Sequence, residues 1–163
     1  MADIFLDLRD IDDRTDQNVP LTAWRGYADA LFVTPSGGTV PISCIVDSGA
    51  PFSVLPDSLW HDRNLSWTSL GRRLTRQGGQ VSDPLKWQGE DCSLGQTSVS
   101  LIDRRTSQQT GPFLLVAKFV DRPLPDARLE MLAVLGMNFL ADNDLRSVLD
   151  GTGGNLVGYI SAP

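Results

Sequence analysis

Apolar and polar residues alternate along much of the chain, which is the pattern of half-buried β-strands. Residues 27–33 form one such segment, and residues 40–46 form the next, with an apolar side chain at every second position. Residues 34–38, between them, combine threonine, proline, serine and two glycines, which are residue types that favour turns. The pattern therefore predicts a β-hairpin with a five-residue loop over residues 27–46.

Shorter apolar runs predict the other elements, and glycine or polar segments mark the breaks between them. Further strands are expected at residues 85–88, 91–94, 99–102, 113–120 and 129–135, and a closing hairpin at residues 145–149 and 156–160 around a turn at residues 150–154. Gly89 and Gly95 are expected to separate strands. Residues 56–62 begin with proline and aspartate, which is typical of a short helix, and residues 137–143 carry helix-forming residues.

The composition also favours a β-rich domain with many turns. Aspartate makes up 18 of the 20 acidic residues, and the chain holds 15 glycines and 10 prolines. These residue types prefer turns and helix caps to helix interiors. The 163 residues correspond to about one domain. Because the formal charge is −6, a nucleic-acid partner is not expected.

The N-terminal segment is strongly acidic, since residues 1–20 hold six aspartates and two arginines. We interpret residues 1–22 as a solvated acidic arm, with one short strand at residues 4–8. The domain itself is expected at residues 23–163. The segment lacks the basic start and long apolar stretch of a signal peptide, and no apolar run reaches the ~18 residues that span a bilayer. We therefore expect a cytoplasmic protein with no membrane partner.

Cysteine and histidine are too few for a disulfide framework or a zinc site. Cys44 and Cys92 lack the spacing of metal ligands, and we expect both to be buried thiols. His61 is the chain's one histidine, so the sequence supplies no zinc ligand set. Neither a metal nor another cofactor is therefore expected.

Residues 47–50, Asp-Ser-Gly-Ala, are the most informative segment for function. They follow directly after the apolar strand at residues 42–46. A carboxylate at the exit of a buried strand is costly to desolvate, and an adjacent glycine lets another backbone approach, so the segment suits a held and shielded acid. Asp, Ser and Gly are also ordinary turn residues, so the triplet alone fits a plain turn as well.

The surroundings of this segment resemble the active site of retropepsin-like, or retroviral-type, aspartic proteases. In that family an apolar strand leads into Asp, then Thr or Ser, then Gly and Ala, and a second motif places two apolar residues and a glycine before a short helix. The matching residues are Asp47, Ser48, Gly49, Ala50, Val134, Leu135 and Gly136. The resemblance covers residues 27–160 and implies a mainly β, retropepsin-like acid-protease barrel with one or two short helices and one lobe per chain.

The resemblance implies hydrolysis of a peptide or protein substrate by paired carboxylates. Two carboxylates that share one proton supply both the base and the acid that the reaction needs. The chain contains one Asp-Ser-Gly triplet, so a two-fold homodimer has to supply the second carboxylate. By resemblance, Asp47 is catalytic, and Ser48 hydrogen-bonds across the two-fold axis. Gly136 would lie beside the active-site loop, with Leu135 packed beneath it.

Enzymes of this type also resemble one another in a β-hairpin flap that closes over the substrate. Residues 75–81 are the candidate, because paired glycines tolerate hinge geometry. The proposed tip is Gln77, Gly78, Gly79 and Gln80. An ordinary surface loop is the alternative. The basic stretch at residues 63–80 is either a solvated face or a ligand contact.

Two other interpretations of the whole chain stay open. In the first, the same fold serves as a peptide-binding or dimerisation module that cuts nothing, since a fold and its chemistry are separable. In the second, the chain is an unrelated β-barrel or sandwich in which Asp-Ser-Gly is a turn. Cleavage of a peptide library separates the first interpretation from a protease, and the mass in solution tests the second.

Overall fold

The computed structural model describes residues 2–14, 17–152 and 156–163. This part is mostly β-structure with a few short helices, which confirms the mainly β fold class. The strands are β1 (Ala2–Phe5), β2 (Asp7–Arg14), β3 (Pro20–Val33), β4 (Thr39–Val46), β5 (Ser53–Leu55), β6 (Thr68–Gly71), β7 (Lys86–Trp87), β8 (Glu90–Ile102), β9 (Gln109–Val120), β10 (Ala133–Leu135), β11 (Arg146–Asp150) and β12 (Val157–Ala162). The helices are α1 (Asp57–Trp60), α2 (Ala127–Glu130) and α3 (Met137–Asp142).

Most strands belong to one sheet that closes on itself. The order of this nine-stranded sheet is β2-β3-β4-β10-β5-β9-β8-β6, and β7 pairs with β8 off this path. Because β3 pairs with β8 as well as with β4, the strands between them form a closed ring, as in a barrel. The main core cluster includes Phe32, Phe119 and Phe139, each of them fully buried.

The hairpin predicted over residues 27–46 is confirmed as β3 and β4. The amide of Thr34 donates to the carbonyl oxygen of Gly38 across the loop, over 2.9 Å. β4 also pairs in parallel with β10, with Val46 opposite Leu135. This pairing brings together the ends of two strands that are far apart in the sequence.

The N-terminal strands are part of the fold. β1 joins β12 and β11 in a three-stranded sheet, and β2 pairs with β3. Ile4 is fully buried, and the Phe5 amide donates to the Asp103 carboxylate over 2.9 Å. The interpretation of this segment as a solvated tail is therefore wrong for β1, because β1 contributes to the core. The division of the chain at residue 22 stays a prediction, and β3, which begins at Pro20, runs across it.

Two local predictions are wrong, each for a structural reason. Gly95 does not interrupt the sheet, since β8 runs through it. The residue is glycine for a packing reason, because the ring of Trp67 lies 2.4 Å from where a Cβ at Gly95 would stand. Residues 129–135 are not a continuous strand, since α2 occupies the start of this run. Asp126 caps α2 by accepting a hydrogen bond from the Arg128 amide, and this local cap outweighs the strand propensity of the apolar run.

The predicted closing hairpin and the burial of both cysteines are present in the structure. The hairpin is present as β11 and β12, but Gly153 and Gly154 of its turn lie outside the described residues. Cys44 and Cys92 are both buried, as expected. In the described ranges, no helix is long and apolar enough to cross a membrane.

Candidate active site

Asp47 follows the last residue of β4 and lies at the surface of the single chain. Its N–H donates to the carbonyl oxygen of Leu135 over 3.0 Å, which extends the pairing of β4 with β10 by one residue. The backbone of the predicted catalytic residue is thus anchored to the predicted supporting strand. Within one chain the side chain is held but not shielded from solvent.

The turn after Asp47 bonds back to it. The amide of Gly49 donates to Oδ1 of Asp47 over 2.8 Å, and the amide of Ala50 donates to its carbonyl oxygen over 3.2 Å. No residue in the part of the chain that the structure describes donates a hydrogen bond to Oδ2. One carboxylate oxygen is therefore fixed by the turn, while the other is available to a second group.

Gly136 lies against the turn that follows Asp47. The next amide, that of Met137, donates to the carbonyl oxygen of Ala50 over 2.7 Å. A Cβ at Gly136 would stand 2.7 Å from the same carbonyl oxygen and 2.7 Å from the backbone of Phe52. This close approach of two backbones leaves no room for a side chain, which explains the glycine.

A buried hydrogen-bond network that sequence reasoning missed joins the two motifs. Ser53 is fully buried; its amide and Oγ both donate to Oδ1 of Asn138, and its Oγ accepts from the Gly136 amide. Asn138 also donates to the carbonyl oxygen of Val116. A serine inside the apolar run 53–55 and an asparagine just after Gly136 were the available signals, but neither residue type indicates its partner.

A cavity of about 200 Å³ adjoins Asp47. Asp47 and Ser48 line it together with the apolar side chains of Trp24 and Leu149. These two side chains are 48% and 57% exposed, and Met137 beside Gly136 is 46% exposed. Exposed apolar side chains therefore lie beside the predicted catalytic carboxylate, where a single chain leaves them uncovered.

The candidate flap segment forms a hairpin. The amide of Ser82 donates to the Leu74 carbonyl, and the amide of Arg76 donates to the Gln80 carbonyl over 2.7 Å. Gly78 and Gly79 at the tip both have positive φ, so the tip needs the freedom of glycine. Among the described residues, no hydrogen bond joins this hairpin to the Asp47 turn, and its role as a flap stays a prediction.

A larger cavity, about 310 Å³, lies at the base of this hairpin, away from Asp47. Basic and acidic residues line it, among them Arg72, Lys86, Asp91 and Asp121. The charges pair with one another: Arg72 with Asp121, and Lys86 with Asp91 over 2.9 Å. The cavity therefore presents no excess of either charge to a ligand.

Comparisons with known proteins add one structure. The chain matches no family model and no curated protein. It is similar to the structure described as EIAV protease complexed with the inhibitor HBY-793, with 19% sequence identity over 72% of this chain and 86% of that chain. The TM-score is 0.36, which is too low to assign a fold or an activity to this chain.

Proposed function

We propose that the chain is a retropepsin-like aspartic endopeptidase that works as a homodimer, with one Asp47 from each copy. The observation that supports this most is the anchoring of the Asp47 turn. Its backbone bonds to Leu135 on one side and to Met137 on the other, while Oδ2 of Asp47 accepts no hydrogen bond from the residues that the structure describes. A rigid support for an exposed acid is what a preorganised catalytic group requires.

The chemistry explains why a second carboxylate is needed. In the proposed dimer, the ionised Asp47 accepts a proton from a water molecule, whose oxygen attacks the peptide carbonyl carbon. The protonated Asp47 of the other copy donates its proton to the carbonyl oxygen. As the C–N bond breaks, the first Asp47 donates the proton it took from water to the leaving nitrogen. The second Asp47 takes a proton back from a hydroxyl of the intermediate, which restores both carboxyl groups to their starting states. Two adjacent carboxylates suit these roles because like charges close together cannot both ionise.

The surface around Asp47 supports a second copy as the partner. β11 is the last strand of its three-stranded sheet, and no described strand pairs with its outer edge. Ser147 and Leu149 on β11 line the same cavity as Asp47. An open strand edge beside exposed apolar side chains is a surface that pairing with another chain would cover. A two-fold axis beside this strand would bring the two Asp47 turns together.

The hairpin over residues 75–81 is the proposed flap. Its exposed tip carries the two positive-φ glycines and makes no hydrogen bond to the Asp47 turn among the described residues. In the proposed enzyme it closes over an extended peptide and excludes water from the site.

Replacement of one oxygen of the carboxylate tests the proposal. Asp47→Asn keeps the shape of the side chain but removes its acid–base chemistry, so cleavage of a peptide library should fall to background at acidic to neutral pH, as read by mass spectrometry. Asp142→Asn, which changes an exposed aspartate at the end of α3, is the matched control and should cut as wild type does. Sedimentation and circular dichroism establish that each variant is folded.

Two outcomes would contradict the proposal. Cleavage that survives in pure Asp47→Asn protein would show that another group does the chemistry. A folded wild-type dimer that retains peptides but never cuts them would instead support the binding-module alternative.

A further inference from the structure

Three potential metal ligands gather at α1, away from Asp47. Asp57 and His61 are four residues apart, at the first helical position and the C-cap, so they lie on one face of the turn. Asp62 follows directly. One nitrogen of His61 and one oxygen from each carboxylate all lie within 4.8 Å of one another.

The buried member of this group lacks a hydrogen-bond partner. Asp57 is only 7% exposed, yet among the amides and side chains that the structure describes none donates a hydrogen bond to its carboxylate. Its ion-pair partner, Nδ1 of His61, stands 3.8 Å from Oδ1, which is beyond hydrogen-bonding distance. The carboxylate is not sealed from solvent, since 11% of the Asp57 side chain is exposed, so an ion can reach it from the surface.

The amides around Asp57 are already engaged. Glu130 accepts from the Ser58 amide with Oε1 and from the Leu124 amide with Oε2, each over 2.6 Å. The amides of Leu59 and Trp60 donate to the carbonyl oxygen of residue 56. The amides of Ser58, Leu59 and Trp60 therefore donate elsewhere and not to the Asp57 carboxylate.

We propose that Asp57, His61 and Asp62 bind a divalent transition-metal ion. Two ligand atoms that each lie ~2.1 Å from an ion stand between 3 and 4 Å apart, roughly the separation of the Asp57 oxygen and the His61 nitrogen. His61 and Asp62 are exposed, so water completes the coordination. The sequence carries one histidine and no cysteine near it, and the burial of Asp57 becomes visible only in the fold.

The ligand chemistry selects the class of metal. An imidazole nitrogen favours borderline ions such as Zn²⁺, Co²⁺ and Ni²⁺, whereas Mg²⁺ and Ca²⁺ prefer all-oxygen sites. With three protein ligands and open positions for water, the site resembles an exchangeable centre more than a closed structural one. We therefore commit to a borderline divalent ion and choose Zn²⁺ as the probe.

The single histidine makes the test direct, because His61 gives the only imidazole proton resonances of the chain. The full chain, first treated with a chelator, is titrated with ZnCl₂ and followed by proton NMR and by isothermal titration calorimetry. The His61 resonances should shift to saturation at one zinc per chain. Asp57→Asn and His61→Gln should each weaken zinc binding by roughly tenfold or more. Loss of a residue that only hydrogen-bonds to a metal ligand already lowers metal affinity by about that factor, and these two residues are proposed as ligands themselves.

The controls separate this proposal from the proposed function. Asp142→Asn, which changes an exposed aspartate elsewhere, and Asp47→Asn should both bind zinc as wild type does, whether or not the chain is a protease. Circular dichroism verifies the fold of each variant. His61 resonances that do not move at millimolar zinc, or equal affinity in folded Asp57→Asn protein, would overturn the site. An equally tight response to CaCl₂ would overturn the choice of a transition metal.

Discussion

The N–H of Asp47 donates a hydrogen bond to the carbonyl oxygen of Leu135, so the two motifs of the candidate active site meet at one point. The parallel pairing of β4 with β10 sets this contact, because it places Val46 opposite Leu135. The exit of β4 and the Gly136 corner are therefore held together. Changes on either side of the contact are expected to affect both.

Gly136→Ala is expected to destabilise the fold by about 1–3 kcal/mol, the usual cost of forcing an extra carbon into a packed region. The new Cβ would stand 2.7 Å from the Ala50 carbonyl oxygen and from the Phe52 backbone, and backbone atoms cannot turn away as a flexible side chain does. Urea unfolding monitored by tryptophan fluorescence measures the change.

Gly38→Ala is the matched control for this substitution. A Cβ at Gly38 would meet nothing closer than the Thr34 hydroxyl at 3.4 Å, so its stability should stay near that of wild type. Equal stability of the two variants would mean that the Asp47 turn and the Gly136 corner are not in the close contact described above.

Asp57→Asn is expected to stabilise the metal-free protein at neutral pH. Burial raises the pKa of the Asp57 carboxyl above its ordinary value; His61 offsets part of this, and Glu130 adds to it. The folded state therefore keeps a proton that the unfolded state releases. Wild-type stability falls as the pH rises from the unfolded pKa, ~3.9, through the raised folded value. A neutral amide does not carry this penalty.

Urea unfolding of both proteins in the presence of a chelator, from acidic to neutral pH, measures the effect. The two proteins should be similar at the most acidic pH, and the advantage of Asp57→Asn should grow as the pH rises. Asp142→Asn, at an exposed position, should differ little from wild type throughout. A neutral-pH measurement in which Asp57→Asn is the less stable protein would contradict the expectation.

Local signals predicted the elements whose structure depends on nearby residues. The turn at residues 34–38 determines the β3–β4 hairpin, and the proline and acid at the start of residues 56–62 indicate α1. Gly95 was misread because a distant ring, that of Trp67, fills the place of its side chain. A short strand at residues 4–8 was predicted, but its contribution to the core was not, since β1 pairs with β12, which is far from it in the sequence.

In the candidate site, too, the residues that follow a local pattern were predicted and those that depend on a tertiary contact were not. Residues 47–50 stand out because they follow a buried strand, and Gly136 stands out through the resemblance of its motif. Ser53 and Asn138 were not identified, because a hydroxyl and an amide are chosen here by a tertiary contact and not by a local pattern. The spacing of Asp57 and His61 is visible in the sequence, but the burial that leaves Asp57 without a donor is a property of the fold.

Leu149→Asp is expected to convert the proposed dimer to a monomer. Leu149 lies on β11, is 57% exposed and lines the cavity beside Asp47. If a second copy covers this surface, the substitution places two like charges in an apolar interface near the two-fold axis, which disfavours association. Sedimentation equilibrium measures the mass. Cleavage should be lost together with the dimer, since a monomer supplies one carboxylate.

Met131→Asp is the matched control, because Met131 follows α2 and is also 57% exposed, but it does not line that cavity. The same change of charge and size should leave this variant a dimer that cuts. A Leu149→Asp protein that sediments as a dimer would place the interface away from β11. A Leu149→Asp monomer that still cuts would contradict the proposed function itself, because the paired-carboxylate mechanism requires two copies of Asp47.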